Sequence, residues 1–361
     1  MKALYDFSIL TQSIHMWLSD RYTPAAVTII EMVLVGVAFM ILFAILGLVL
    51  VYAERKVSAV IQQRMGPTRV GKWGTAQTLA DVIKLVLKEP IINKEADKFL
   101  FNLAPFIIMI AAFMAIAALP FAKGLQALDF DIGILYVIAV SSLGVIGILL
   151  AGWSSNNKYS LIGAMRSGAQ IISYELSVAL SLLTIVVLTG SLQLSTIIES
   201  QADGWWIFKG HIPAWIAFLI FLIASTAETN RGPFDLAEAE SELTAGFHTE
   251  YSGLKFAFFF LAEFANMFIV CAIGATVFLG GWMPFHIGHW EGFNAVMDFI
   301  PPIIWFLVKV SFMIFLMMWF RWTFPRLRID QLLTLEWKYL LPINLFNILL
   351  MALVALMGWH F

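Results

Sequence analysis

Stretches of roughly 20 apolar residues, each long enough to cross ~30 Å of hydrocarbon as a helix, recur along the chain between shorter polar connections. Backbone groups in lipid must find hydrogen-bond partners within their own segment, and the strict alternation of barrel strands is absent. The pattern therefore predicts an all-α fold, a polytopic membrane protein that forms one integral domain over residues 1–361. We place its eight transmembrane helices at about 28–52, 101–121, 132–153, 169–190, 212–227, 255–281, 298–320 and 339–358.

Two shorter segments have the pattern of helices that lie on a membrane surface. In the N-terminal segment 1–27, an apolar face is formed by Phe7, Leu10, Ile14 and Trp17. In the connection 53–98, one helical face carries Leu79, Val82, Ile83 and Val86, and another carries Asp81, Lys84 and Lys88. Such two-sided helices are typical of the boundary between lipid headgroups and hydrocarbon. We predict an interfacial amphipathic helix in the second segment and a surface helix in the first.

The distribution of basic residues predicts the orientation. Of 22 Lys and Arg residues, seventeen lie on one side of the predicted topology, in the connections 54–98, 153–168, 228–255 and 321–338. The other side, termini included, carries four, and Lys309 lies within a span. Because basic connections stay in the cytoplasm, both termini are predicted to lie outside it.

The connection 228–255 is unusually acidic for a chain with only 13% charged residues. Arg231 is its one guanidinium, and we see no nearby charge that cancels the repulsion among its acids. Crowded carboxylates raise one another's pKa and tend to hold protons. The six acids of the connection are Glu228, Asp235, Glu238, Glu240, Glu242 and Glu250.

Gly232-Pro233 and Gly246 interrupt this connection, and the residues between them have helix-forming composition. On a short helix, Glu238 and Glu242 share a face while Glu240 points away. The alternative is an ordinary solvated loop. Apolar residues threaded through the segment, and the preference of cytoplasmic loops for Lys and Arg, argue against that alternative.

Three ionisable residues lie within predicted spans: Glu175, Glu263 and Lys309. Such groups are costly in lipid and mark ion or proton routes, although a structural ion pair remains the alternative for each. A polar stripe at helical spacing lies on the fourth span and is suited either to hold water or to stabilise helix contacts. It consists of Gln170, Ser173, Ser177 and Ser181.

The sequence offers few other candidates for a redox, metal or nucleotide site. Cys271 is the only cysteine, so the chain cannot form an internal disulfide, a cysteine-ligated iron-sulfur cluster or a cysteine-rich zinc site. No glycine-rich phosphate loop occurs, and we predict neither a nucleotide site nor a metal site.

Several long motifs, in order, resemble one family. They are Ala53-Glu-Arg-Lys56, the run 63–71 from Gln63 to Gly71, the run 152–159 from Gly152 to Tyr159, and the acidic run 227–253. The chain is similar to the H subunit of bacterial NADH:quinone oxidoreductase, respiratory complex I. The resemblance implies a quinone-binding translocase subunit of the bacterial inner membrane that couples quinone reduction to proton transport. Ubiquinone or menaquinone is then the substrate, and the iron-sulfur clusters and flavin belong to partner subunits only.

The resemblance also implies partners and site residues. The partners are the iron-sulfur subunit beside the quinone site, neighbouring membrane subunits and the lipid bilayer. Nucleic acid is not expected to bind. In the connection 228–255, the implied structural residues of the loop are Arg231, Gly232 and Pro233. The implied quinone cavity contains Glu54, Arg55, Arg64 and Asp81. The implied proton funnel contains Glu175, Glu228, Asp235, Glu238, Glu240, Glu242, Glu250 and Glu263.

Two other classes of protein stay open on the sequence. One is the related membrane subunit of an energy-converting hydrogenase, which shares the acidic connection but need not bind quinone. The other is a stand-alone ion carrier, which the buried acids favour but the large charged connections do not.

Overall fold

The computed structural model describes residues 6–236, 244–286 and 290–358. Across these ranges, eight helices are long and apolar enough to cross a membrane. Beyond one isolated bridge between Ala122 and Leu125, the same ranges contain no strand pairing. The predicted all-α fold class and the number of spans are confirmed.

We number the helices in chain order. The helices are α1 Ser8–Ser19, α2 Pro24–Ile61, α3 Gln77–Leu87, α4 Lys98–Ala117, α5 Gly133–Ser154, α6 Lys158–Thr189, α7 Leu194–Glu199, α8 Trp206–Lys209, α9 His211–Glu228, α10 Gly253–Phe278, α11 Glu291–Asp298, α12 Pro302–Thr323 and α13 Ile329–Leu356. Short 3₁₀ turns occur at Lys72–Gly74 and Gly246–His248. The two predicted surface helices correspond to α1 and α3.

Three of the predicted helix boundaries were wrong by about ten residues. Helix α2 continues to Ile61, α6 begins at Lys158, and α13 begins at Ile329. Hydropathy reports where a helix is apolar, whereas a helix ends where its backbone changes direction or is capped. At the start of α6, the Asn157 side chain accepts a hydrogen bond from the backbone N–H of Tyr159 at 2.9 Å. Glu54 and Arg55 consequently lie on a helix and not in a loop.

Helix α13 contains a π-helical segment, Leu335–Leu340, between two α-helical parts. Pro342 follows closely and has no backbone N–H to donate. Its ring also crowds the carbonyl group four residues earlier, at Lys338. A wider turn relieves that contact, and such π segments often occur at functional positions. The widening alters which side chains α13 turns towards α6.

Helices α9 and α10 lie at the centre of the bundle. Phe221 on α9 and Phe264 and Phe278 on α10 are fully buried or nearly so. Alanines along both helices allow close approach, which is how membrane helices gain packing energy without a hydrophobic driving force. By contrast, much of α2 is exposed, as expected for a helix at the edge of the bundle. The site described below forms where α2, α9, α10 and α12 meet.

Candidate functional site

Arg231, just after the end of α9, is the centre of a buried charge cluster. Its Nη1 lies 2.9 and 2.8 Å from the two carboxylate oxygens of Glu54 on α2. Its Nε lies 3.1 Å from Oε1 of Glu263 on α10, and its guanidinium covers the ring of Phe264 at 4.4 Å. Arg321 on α12 also contacts Glu54. We call Glu54, Arg231, Glu263 and Arg321 the Arg231 cluster.

This cluster corrects one expectation from the sequence. We expected no nearby charge to cancel the repulsion of the acidic connection, yet an arginine from the far end of the chain pairs with one of its acids. Arg326 Nη2 lies 2.9 Å from Asp235 Oδ2, while Arg321 pairs with Glu54 on α2, which also contacts Arg231. The side chain of Arg231 is only 4% exposed, so its pairs are poorly screened by water. Buried charges are paired here, as burial requires.

A cavity of about 80 Å³, measured as room for the centres of water-sized molecules, opens beside Glu263. That space is enough for several water molecules at roughly 10–15 Å³ each. Helices α4, α5, α6, α9 and α10 all contribute to its wall. Its polar lining consists of Ser141, Glu228, Thr229, Asn230, His248, Glu263 and Asn266, among aliphatic and aromatic side chains.

Glu228 and Glu175 extend this set of acids towards α5 and α6. The hydroxyl of Ser142 donates a hydrogen bond to Glu175. Glu228 lies close enough to Glu175 for the two carboxylates to interact, and beside the hydroxyl of Ser141. Glu263 and Glu228 therefore line one polar cavity, and Glu175 extends this series of acids beyond it, next to Glu228.

His248, in the turn Gly246–His248, faces the same cavity. Burial lowers the pKa of His248 to about 4, and Asp235 opposes that shift. The rings of Phe247 and Phe256 contact the imidazole edge to face. His248 is therefore neutral at pH 7. His248 could not be recognised from the sequence, because a single histidine forms no motif.

The chain from Gly246 to Tyr251 is fixed against α6 and α4. A Cβ on Gly163 would lie 2.8 Å from the Gly246 Cα, so the two backbones meet without side chains between them. The Tyr251 hydroxyl donates to the Phe101 carbonyl at 3.1 Å, and burial raises the pKa of Tyr251 to about 12. Glu250 accepts a hydrogen bond from Asn157 Nδ2 at 2.6 Å.

The predicted funnel acids thus separate into groups. Glu228 and Glu263 line the cavity, Glu175 interacts with Glu228, and Asp235 pairs with Arg326. Glu250 bonds to the residue that caps α6. Glu238, Glu240 and Glu242 lie outside the described residues. Gly232 and Pro233, predicted as loop structure, are joined by a cis peptide bond, and the Pro233 carbonyl accepts from the Leu327 backbone at 3.0 Å.

Arg55 and Asp81, predicted to share a cavity, do lie together. Arg55 Nη1 is 2.5 Å from Asp81 Oδ2, and Gln77 Nε2 donates to the other oxygen of Asp81 at 3.2 Å. This pair joins α2 to the amphipathic helix α3. Arg64 is exposed, and its Nε donates to Gln62.

Glu54 and Arg55, both assigned to the quinone cavity by the resemblance, contact different partners. Glu54 contacts Arg231 and Arg321, whereas Arg55 contacts Asp81. Successive side chains on a helix diverge by about 100°, so neighbours in sequence face different surroundings.

Lys309 on α12, which had no assigned partner, bonds to backbone oxygens. Its Nζ donates to the carbonyls of Gly281 and Met283 at 2.9 and 2.6 Å. The ammonium also lies 4.5 Å from the ring centroid of Trp205. These contacts join the end of α10 to α12, which supports a structural role.

A family model described as NADH dehydrogenase matches residues 32–352. The H subunit of the NADH-quinone oxidoreductase of Bacteroides fragilis is 62% identical over 358 residues, which cover 99% of this chain and 100% of that protein. The corresponding protein of Bacteroides thetaiotaomicron is 60% identical over 358 residues, with the same coverage of 99% and 100%. That of Geobacillus sp. is 52% identical over 322 residues, 88% of this chain and 93% of its own length.

The fold and the site together define a multi-pass α-helical membrane protein with a buried Arg-Glu cluster beside a cavity lined by Glu228 and Glu263. The agreement with the relatives extends over nearly the whole chain. The chain therefore belongs to the NADH dehydrogenase family of membrane subunits, among proteins named as the H subunit of NADH-quinone oxidoreductase.

Proposed function

We propose that this chain is the quinone-binding membrane subunit of a proton-pumping NADH:quinone oxidoreductase, in the bacterial cytoplasmic membrane with both termini outside the cytoplasm. The observation that carries the proposal concerns Glu54 and Arg55. Arg55 pairs with Asp81 on the amphipathic helix, while Glu54 pairs with Arg231, which also contacts Glu263 beside the cavity. Two neighbouring residues on α2 thereby belong to two networks of contacts. The first is Arg55 with Asp81 on α3, and the second is Glu54 with Arg231 and Glu263.

The first network suits the quinone. Arg55 and Asp81 are partly exposed and join α2 to α3, whose apolar side chains are about half exposed. A guanidinium at the mouth of an apolar groove can donate hydrogen bonds to a quinone carbonyl. Electrons would come from an iron-sulfur cluster of a partner subunit, and flavin would lie in a partner as well.

The second network suits proton movement. Quinone reduction takes up two electrons and two protons and passes through anionic forms. Negative charge that arises near Glu54 in a poorly screened site would draw Arg231 away from Glu263 and change the proton affinity of that carboxylate. Glu263 and Glu228 line the cavity, Glu175 interacts with Glu228, and the three acids would respond as a coupled set. Glu238, Glu240 and Glu242 belong to this proposed route on sequence grounds.

Glu228→Gln and Glu175→Gln in the assembled complex test this function. In sealed vesicles, both variants should oxidise NADH with an artificial acceptor at the wild-type rate and translocate fewer protons per electron. Glu199→Gln, an exposed acid on α7, is the matched control and should change neither quantity. Wild-type proton translocation per electron in both cavity variants, with the complex intact, would contradict the proposal.

The two other protein classes lead to different outcomes. A hydrogenase subunit need not bind quinone, so turnover would resist an inhibitor that competes with quinone. A stand-alone carrier would purify without hydrophilic iron-sulfur subunits. The relatives are all named as the H subunit of NADH-quinone oxidoreductase, which favours the function proposed here.

A further inference from the structure

Glu336 is a buried acid that the site above does not use. It lies in the π-helical segment of α13 and has no exposed surface. The Ser177 hydroxyl on α6 donates to its Oε1 at 2.5 Å. Within residues 6–236, 244–286 and 290–358, no Lys, Arg or His forms a salt bridge with it. An ionised carboxylate without a cation is costly in a membrane interior, and such acids usually carry a function.

The surroundings of Glu336 contain further unsatisfied oxygens. Among described groups, Oε2 of Glu336 has no hydrogen-bond donor, and the same holds for Oε1 of Gln170 and Oδ1 of Asn344 and Asn347. All four residues are at most 1% exposed. A buried acceptor without a donor costs about 1–3 kcal/mol, so four of them beside one helix interface call for an explanation.

The orientations of the three amides are fixed by their nitrogens. Gln170 Nε2 donates to the carbonyls of Ala227 and Phe234, both at 2.7 Å. Asn344 Nδ2 donates to the Ser177 carbonyl at 3.2 Å, and Asn347 Nδ2 to the Pro213 carbonyl at 2.9 Å. Exchanging oxygen and nitrogen would lose these bonds, so the oxygens genuinely need donors. Water can supply them, with two O–H donors per molecule.

These groups follow one line through the bundle. On α6, Gln170, Ser173 and Ser177 recur at helical spacing. Ser173 and Ser177 face α13, where Trp337 Nε1 donates to Ser173 Oγ at 3.3 Å, whereas Gln170 contacts the end of α9 and the acidic connection. Farther along, α13 carries the two asparagines, Asn344 against α6 and Asn347 against α9. The line begins in the acidic connection, at Phe234, and reaches Pro213 near the other end of α9. Glu336 lies along it.

We propose that Glu336 is a proton-holding site on a file of buried water between α6, α9 and α13, a second proton route that starts beside the cavity, where Gln170 Nε2 lies 3.3 Å from Asn230 Oδ1, and does not pass through Glu228, Glu263 or Glu175. The inference rests on the proposed function, because it adds a route to a protein proposed to couple proton movement to quinone reduction. At each transfer, one O–H bond of the Glu336 carboxylic acid breaks as a water O–H forms, and a second water restores the proton from the opposite side. No electrons move in this step.

Glu336→Gln is the central variant, because the amide keeps an acceptor for Ser177 and removes the exchangeable acid. In sealed vesicles of the assembled complex, NADH oxidation by an artificial acceptor should match the wild type. Since one of the two proposed routes is blocked, proton uptake per electron should fall below the wild-type value. Asn347→Leu, which interrupts the file at its far end, should have the same effect, and Glu199→Gln should have none. Wild-type proton uptake in both file variants would overturn the proposal.

Infrared difference spectra give a second readout that does not depend on pumping. In the spectrum of reduced minus oxidised complex, the carboxylic C=O band of Glu336 should be present in the wild type, absent in Glu336→Gln and shifted in Glu336→Asp. If Glu336→Gln prevents assembly, Glu336→Asp still allows this comparison. A spectrum identical in wild type and Glu336→Asp would contradict proton exchange at this position.

The two proposals can fail separately. A lower proton ratio in Glu228→Gln with a wild-type ratio in Glu336→Gln would reject the second route alone. A lower ratio in Glu336→Gln with wild-type ratios in Glu228→Gln and Glu175→Gln would reject the cavity route and retain Glu336.

Discussion

Nη1 of Arg231 lies within hydrogen-bond distance of both carboxylate oxygens of Glu54, although the two residues are 177 positions apart in the chain. The same guanidinium contacts Glu263 through Nε. The guanidinium of Arg231 thus links the C-terminal part of α2, through Glu54, to α10, through Glu263. The planar guanidinium of an arginine can bond two carboxylates in fixed geometry, whereas a lysine ammonium cannot do so equally well.

Replacing Arg231 by Ala should therefore destabilise the subunit strongly. Breaking a buried pair leaves an uncompensated charge and costs about 3–5 kcal/mol. We expect less assembled complex on native gels and a lower melting temperature. Arg231→Lys should recover part of the stability but little quinone turnover. Arg326→Ala is the control, since its more exposed pair with Asp235 should contribute less. An equal fall in melting temperature for Arg326→Ala and Arg231→Ala would contradict this account.

Arg55 and Asp81 should matter more for substrate than for stability. Their side chains are 40% and 27% exposed, so the pair contributes about 1 kcal/mol or less to folding. If Arg55 donates to quinone, Arg55→Ala removes a charge-assisted hydrogen bond and raises KM for quinone by about tenfold or more. NADH oxidation by an artificial acceptor should stay at the wild-type rate. Loss of both activities together would indicate failed assembly instead.

Some parts of this structure could be predicted because they depend on local composition. The eight spans follow from the length of apolar runs, and helix α3 follows from the spacing of its apolar and charged residues. The partners of the acids could not be predicted, because Arg321 is 267 positions from Glu54 and Arg326 is 91 from Asp235. Glu336 was missed for a related reason. It lies in a stretch that resembles a polar connection, and only the packing of α13 against α6 buries it.

His248 predicts a pH dependence of stability. Its pKa is lowered from 6.5 to about 4 in the folded protein, mainly by burial. Between these values the unfolded chain binds a proton that the folded chain does not, so the free energy of unfolding falls as pH falls. The melting temperature of His248→Gln should consequently drop less than that of the wild type between pH 7 and pH 5. His15→Gln, which alters a largely exposed histidine, should behave like the wild type.

The contact between Gly163 and Gly246 predicts that the last part of the acidic connection depends on a close backbone approach to α6. A methyl group on Gly163 would lie 2.8 Å from the Gly246 Cα and 2.9 Å from the Phe247 nitrogen, and neither is a flexible side-chain end. Gly163→Ala must therefore displace the turn that carries His248 into the cavity, at a cost of about 1–3 kcal/mol. We expect reduced assembly and, in the complex that remains, fewer protons translocated per electron. Gly36→Ala on α2, where an added Cβ meets no atom within 4 Å, should leave both unchanged. Full proton translocation in Gly163→Ala would mean that the position of this turn does not govern the cavity.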